Sequence, residues 1–166
     1  MLYWIKVLDQ LPVHKEDGKN KMSSQCKRVI IRSDLPAHCM ISIISSSLFF
    51  WLFYQTYSDC QQINQREFGG FKFDLHEDSV RTLTDLGKKL MLDYKRNSKV
   101  IERRITKRDA MVKKEYFQIN KSKLIVDEID RILAQHYSLS EEELDCVVNY
   151  DIKYRMGRDN NEDSEE

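Results

Sequence analysis

The densest cluster of side chains able to read a nucleic acid lies at residues 61–66, QQINQR. Asparagine and glutamine amides make paired hydrogen bonds to adenine edges, and an arginine guanidinium does so to guanine. Gln61, Gln62, Asn64, Gln65 and Arg66 put that capacity into one short polar segment. A second concentration is one of charge. Lys88, Lys89, Lys95, Arg96, Lys99, Arg103, Arg104, Lys107, Arg108, Lys113 and Lys114 stand against only Asp93, Glu102, Asp109 and Glu115. Cations at that density neutralise phosphates and release counterions, which makes binding salt-dependent. The same pattern also fits a long solvated helix whose charges pair internally.

Other chemistries find less support. Cys26, Cys39, Cys60 and Cys146 are scattered, with no zinc or redox spacing. They read as reduced, small hydrophobes. His14, His38, His76 and His136 are equally dispersed, so no metal site is expected. Glu141, Glu142 and Glu143 sit where a helix start favours acids. Asp127, Glu128 and Asp130 are read as structural in the same way. Lys+Arg and Asp+Glu are both 27, so net charge selects no partner. Its distribution, a basic middle and an acidic end, suggests a polyanion site on one side.

The polar segment must be held by what precedes it. Residues 35–59, LPAHCMISIISSSLFFWLFYQTYSD, contain the only long charge-free run in the chain. Ile41, Ile44, Leu48 and Leu52 recur at helical steps, and Phe49 and Phe53 fall on the other side. One helix, apolar nearly all round, is expected, buried in protein or inserted in lipid. Ser45, Ser46 and Ser47 at its centre leave room for close neighbours. Ser33 and Asp34 suit a cap and Pro36 a first turn. Residues 35–57 would reach roughly 35 Å as a helix, long enough to span a bilayer. Four serines, a glutamine, a histidine and a proline count against insertion, and the flanks show no positive-inside bias. No signal peptide is visible, so a cytoplasmic protein is expected.

Upstream, residues 2–8 (LYWIKVL) and 27–32 (KRVIIR) have strand composition, separated by a turn-rich stretch with Pro12, Asp17-Gly18 and Asn20. Downstream, Gly69-Gly70 breaks the pattern before the short extended FKFDL. Val80, Leu83, Gly87, Leu90, Tyr94, Ile101 and Ile105 then trace a helical stripe over 80–105, open to interruption at Asn97-Ser98. Residues 116–119 suggest a short extended piece. Ile125, Ile129, Ile132, Leu133 and His136 make an amphipathic helix. Ser140 with Glu143 is a capping box for another, with Leu139 and Leu144 as its staple. Val147, Val148 and Ile152 continue its stripe as far as Gly157. Residues 158–166 read as a disordered acidic tail.

Two blocks carry a resemblance. ISIISSSLFFWLFYQTYSDCQQINQREFGGFKFDL resembles the region that follows the catalytic domain in adenine-specific DNA methyltransferases. KLIVDEIDRILAQHYSLSEEELDCVVNYDIKYRMG is similar to the C-terminal close of combined restriction–modification methylases. The likeness covers residues 1–157. It implies a target-recognition role and adds Ser58 and Asp59 to the expected DNA contacts. The full set is then Ser58, Asp59, Gln61, Gln62, Asn64, Arg66, Lys72, Lys88, Lys89, Arg103, Arg104, Lys107 and Arg108. The family's methyl-donor motif, Phe-x-Gly-x-Gly, is absent. So is its Asn/Asp-Pro-Pro-Tyr/Phe loop, since Pro12 and Pro36 are the only prolines. No catalytic residue and no cofactor is therefore expected in this chain. S-adenosylmethionine would belong to a catalytic partner or parent enzyme.

The expected fold is α+β, mostly helical, with small N-terminal antiparallel strands packed on a buried central helix. Residues 1–75 would form the target-recognition segment, 76–157 a helical segment and 158–166 the tail. The expected partner is double-stranded DNA, with a separate methyltransferase domain or subunit as a second. The alternatives are a membrane-anchored accessory protein using residues 35–57, or a degenerate structural fragment without DNA affinity.

Overall fold

The charge-free run does not form one helix. In a computed structural model, which describes residues 6–23, 26, 28, 30, 34–56, 74–106 and 109–150, it forms α1 (Ala37–Ser45) and α2 (Ser47–Thr56). The two meet at a 63° bend. The cause is Ser46, whose backbone is extended (φ −68°, ψ 156°). Its hydroxyl donates to the Ile43 carbonyl at 2.6 Å and accepts the Phe49 N–H at 3.0 Å. One serine thus closes α1 and caps α2, the competition with backbone hydrogen bonding that short polar side chains offer. The expected cap at the front of α1 is not made: Pro36 holds that position with no side-chain hydrogen bond.

No single helix among the described residues is long and apolar enough to cross a membrane. The bent pair passes that test only together, by length and composition. Residues 39–45 of α1 and Ser47, Leu48, Phe49, Phe50 and Phe53 of α2 are buried.

The partner of α1 is α3 (Glu77–Arg96), which buries Leu83, Leu86, Gly87, Leu90, Met91 and Tyr94. Acids open it and Lys95 and Arg96 close it, as the helix dipole favours. Gly87 is where the two backbones come closest. A Cβ there would lie 2.1 Å from the His38 carbonyl oxygen and 2.9 Å from Ser42 Oγ. Ser42 Oγ donates to the Leu83 carbonyl at 2.6 Å. Small residues on both helices therefore set an antiparallel crossing, His38 against Gly87 and Ser42 against Leu83.

The stripe expected over 80–105 ends early. The Asn97 side-chain amide donates to the Asp93 carbonyl and carboxylate at 3.0 and 3.1 Å and stops α3. Residues 98–105 become strand β3 (Ser98–Ile105), followed by β4 (Ala110–Phe117). The basic segment is thus one helix end and a hairpin, not a long helix.

A four-stranded antiparallel sheet results, ordered β2-β1-β4-β3. Its other strands are β1 (His14–Glu16) and β2 (Lys19–Asn20). Asp17 and Gly18 join them with φ of 49° and 76°, the paired positive φ of a tight hairpin turn. The turn at Asp17-Gly18 is where the sequence placed one, but the strands are its immediate flanks. Of the strands expected at 2–8 and 27–32, the described residues Lys6, Val7, Leu8, Arg28 and Ile30 carry none; the rest lie outside the described residues. The sheet meets the helices at the C-terminal end of α3, not on the central helices. There Tyr94 and Phe117 have ring centroids 6.4 Å apart.

The 3-10 turn Ile119–Ser122 leads into α4 (Lys123–His136) and then α5 (Glu141–Asn149). The Ser140–Glu143 capping box forms in both directions, at 3.2 and 2.8 Å. Ile152, Gly157 and the acidic tail lie outside the described residues. Asp130, 1% exposed on α4, accepts the Ser47 N–H at 2.7 Å and so holds the start of α2 from another helix. The fold is α+β and mostly helical. Its core joins α1 and α2 to α3, α4 and α5, on both sides of residue 75.

Candidate nucleic-acid interface

Strand pairing decides which charges share a surface, because directly opposed residues project to the same face. Lys15 pairs with Asn20 and with Lys113, and Lys113 with Glu102, giving one row across all four strands. Arg104, paired with Met111, lies on the same face. The opposite face carries Lys19, Glu16, Val112 and Arg103 in one row, His14, Lys114 and Ile101 in the next, then Tyr116 with Lys99. Lys15 beside Lys113, and His14 beside Lys114, are juxtapositions that cost stability when the charges are alike.

Some of the sheet's charge is committed internally. Arg104 makes two bonds to Asp109 Oδ1, at 2.9 and 2.6 Å, across the β3–β4 turn. Lys21 pairs with Glu16. Glu115, with a side chain 2% exposed, takes Lys95 at 2.9 Å, Ser98 Oγ at 2.8 Å and the Val13 N–H at 3.0 Å. Burial pushes its carboxyl up, but those three donors and the Lys95 charge outweigh it and hold the group below its ordinary value. Glu115 is thus the pin that fastens the sheet to α3.

Lys15, Lys19, Lys99, Arg103, Lys113 and Lys114 make no ion pair with another described residue. Lys19, Lys99, Arg103 and Lys113 are exposed, Lys15 and Lys114 half-buried. The apolar members Val100, Met111 and Tyr116 are 47%, 42% and 45% exposed. Ala110 and Val112 of β4, by contrast, are buried at 4% and 7%, so the hairpin, widened at one end by β1 and β2, is covered along part of its Val112 face and exposed elsewhere, with cations on both faces.

The expected contacts divide accordingly. Ser58, Asp59, Gln61, Gln62, Asn64, Arg66, Lys72, Lys107 and Arg108 lie outside the described residues. Arg103 stands exposed on β3, and Arg104 is held by Asp109. Lys88 and Lys89 sit on α3, paired with Asp85 at 3.1 Å and Glu128 at 3.2 Å. Lys15 and Lys19 were missed, and Lys99, Lys113 and Lys114 were noted for charge but not as a site. The signal was present: HKEDGKNK alternates charge around an Asp-Gly pair.

The segment carrying residues 57–73 departs from a defined place. Tyr54, near the end of α2, meets Tyr150, just past α5, with ring centroids 5.7 Å apart. The chain therefore leaves α2 beside the point at which it leaves α5. No family model, no curated protein and no solved structure matches this chain.

Proposed function

We propose that the chain binds double-stranded DNA, with the sheet gripping the phosphate backbone, and that it serves as a recognition part rather than as a catalyst. The observation that carries this reading is the group of six cations on the sheet that pair with no other described residue. A two-stranded antiparallel ribbon also has the width that the DNA major groove admits. Phosphate contacts fix register on the duplex, while base contacts specify sequence. In this division the sheet supplies grip, and Gln61, Gln62, Asn64 and Arg66 supply base reading. The setting, a target-recognition portion of an adenine-specific methyltransferase acting beside a separate catalytic domain, rests on the sequence resemblance alone.

Fluorescence anisotropy of a labelled duplex against the purified chain tests the reading. Affinity should fall linearly with salt on a log–log plot, with a slope of about −0.9 for each phosphate neutralised. Binding that is absent at low salt would leave a structural fragment as the better account. Asn64→Ala and Arg66→Ala should each cost roughly 1–3 kcal/mol on a preferred site and much less on random DNA.

A further inference from the structure

We propose that the acidic segment 159–166 docks on the cations of the sheet. The segment carries Asp159, Glu162, Asp163, Glu165 and Glu166 with no Lys or Arg. The sheet offers Lys19, Lys99, Arg103 and Lys114 on one face and Lys15 and Lys113 on the other, none in an ion pair with another described residue. Charge complementarity is joined by placement. α4 and α5 line one groove together, through Asp127, Arg131, Gln135, Asp145 and Val148 among others, and only residues 137–140 join them. α5 therefore runs back along α4, and the chain leaves it at the end where α4 begins. That end follows directly on the 3-10 turn after β4. Tyr150, the last described residue, thus lies toward the end of α4 that follows the sheet in the chain. The stretch from Tyr150 to Asp159 reaches roughly 30 Å when extended, so the sheet lies within its range. Tethering raises the local concentration of the acids to about the millimolar range, enough for weak surface charges to associate. If the sheet binds DNA as proposed above, the docked acids occupy the phosphate positions and compete with it.

The test compares the full chain with a full-length variant carrying Asp159→Asn, Glu162→Gln, Asp163→Asn, Glu165→Gln and Glu166→Gln, positions outside the described core. Zero-length carbodiimide cross-linking without DNA, followed by peptide mapping, should join these carboxylates to Lys15, Lys19, Lys99, Lys113 or Lys114. Links to none of those lysines overturn the docking. At about 50 mM salt the neutralised chain should bind a short duplex severalfold more tightly, with the gap closing as salt rises. Equal affinity for both chains at low salt overturns the competition. Cross-links to the sheet with no DNA binding by either chain would uphold the docking and remove the DNA reading instead.

Discussion

Two buried carboxylates accept hydrogen bonds from backbone N–H groups far from them in the chain. Asp130 satisfies the Ser47 N–H at the start of α2. Asp130→Ala removes a buried acceptor from the Ser47 N–H and should cost about 1–3 kcal/mol, most of it recovered in Asp130→Asn, which keeps an acceptor. Denaturant melts showing no loss in the alanine variant would rule out this role. Glu115 behaves differently because its ionisation is linked to folding. Its carboxyl is held below the ordinary value of 4.5. The ionised form is therefore favoured more in the folded chain than in the unfolded one. That stabilisation is fully present above the unfolded value and is lost as pH falls through the lower, folded one. Glu115→Gln should lose about 1–2 kcal/mol at neutral pH. Its stability should also decline less than that of the parent as pH drops below the ordinary glutamate range. Parallel pH profiles for the two proteins would contradict the assignment. Cys39 belongs at this scale too. Burial pushes its thiol up to about 11, so it should resist thiol reagents until the protein unfolds.

At the scale of elements, the crossing of α1 and α3 makes a prediction opposite in sign to helix propensity. Gly87→Ala would gain about 1 kcal/mol in an exposed helix. In this helix the added methyl meets the His38 carbonyl oxygen at 2.1 Å, and a main-chain atom cannot swing aside. Moving α1 should cost about 1–3 kcal/mol or more. A rise in melting temperature for Gly87→Ala would refute the close crossing. Apolar spacing made α3 as far as Tyr94, α4 and the start of α5 legible, because a buried stripe leaves a period in the sequence. The capping box at Ser140 was legible for the same reason of fixed spacing. The break at Ser46 was not, since the apolar run continues through it and only the serine's own hydrogen bonds end the helix. Nor was β3. Ile101 and Ile105 stand four apart, which suits one helix face and equally one strand face. What decides is Asn97, whose side chain closes α3 just before them.

At the scale of the whole molecule, the helices form the core and the sheet stands at one end, fastened by Tyr94–Phe117 and Lys95–Glu115. Ala110 and Val112 of β4 are buried, while Lys19, Lys99, Arg103 and Lys113 stand exposed on the same sheet. The candidate site was legible in part. Arg103 was singled out by charge, whereas Lys15 comes beside Lys113, and Lys19 into the row that ends at Arg103 on the opposite edge, only through strand pairing across nearly a hundred residues. Such pairing leaves no local period to read. The sheet, rather than the basic surface of α3, is proposed to hold the nucleic acid. The direct measurement is the salt dependence of duplex binding for two variants, Lys99→Ala/Arg103→Ala/Lys113→Ala on the sheet and Lys88→Ala/Lys89→Ala on α3. The sheet variant should lose about 0.9 of log–log slope per phosphate contact removed, weakening binding to all sequences, while the α3 variant should keep the parent slope. A parent slope in the sheet variant together with a reduced slope in the α3 variant would contradict it.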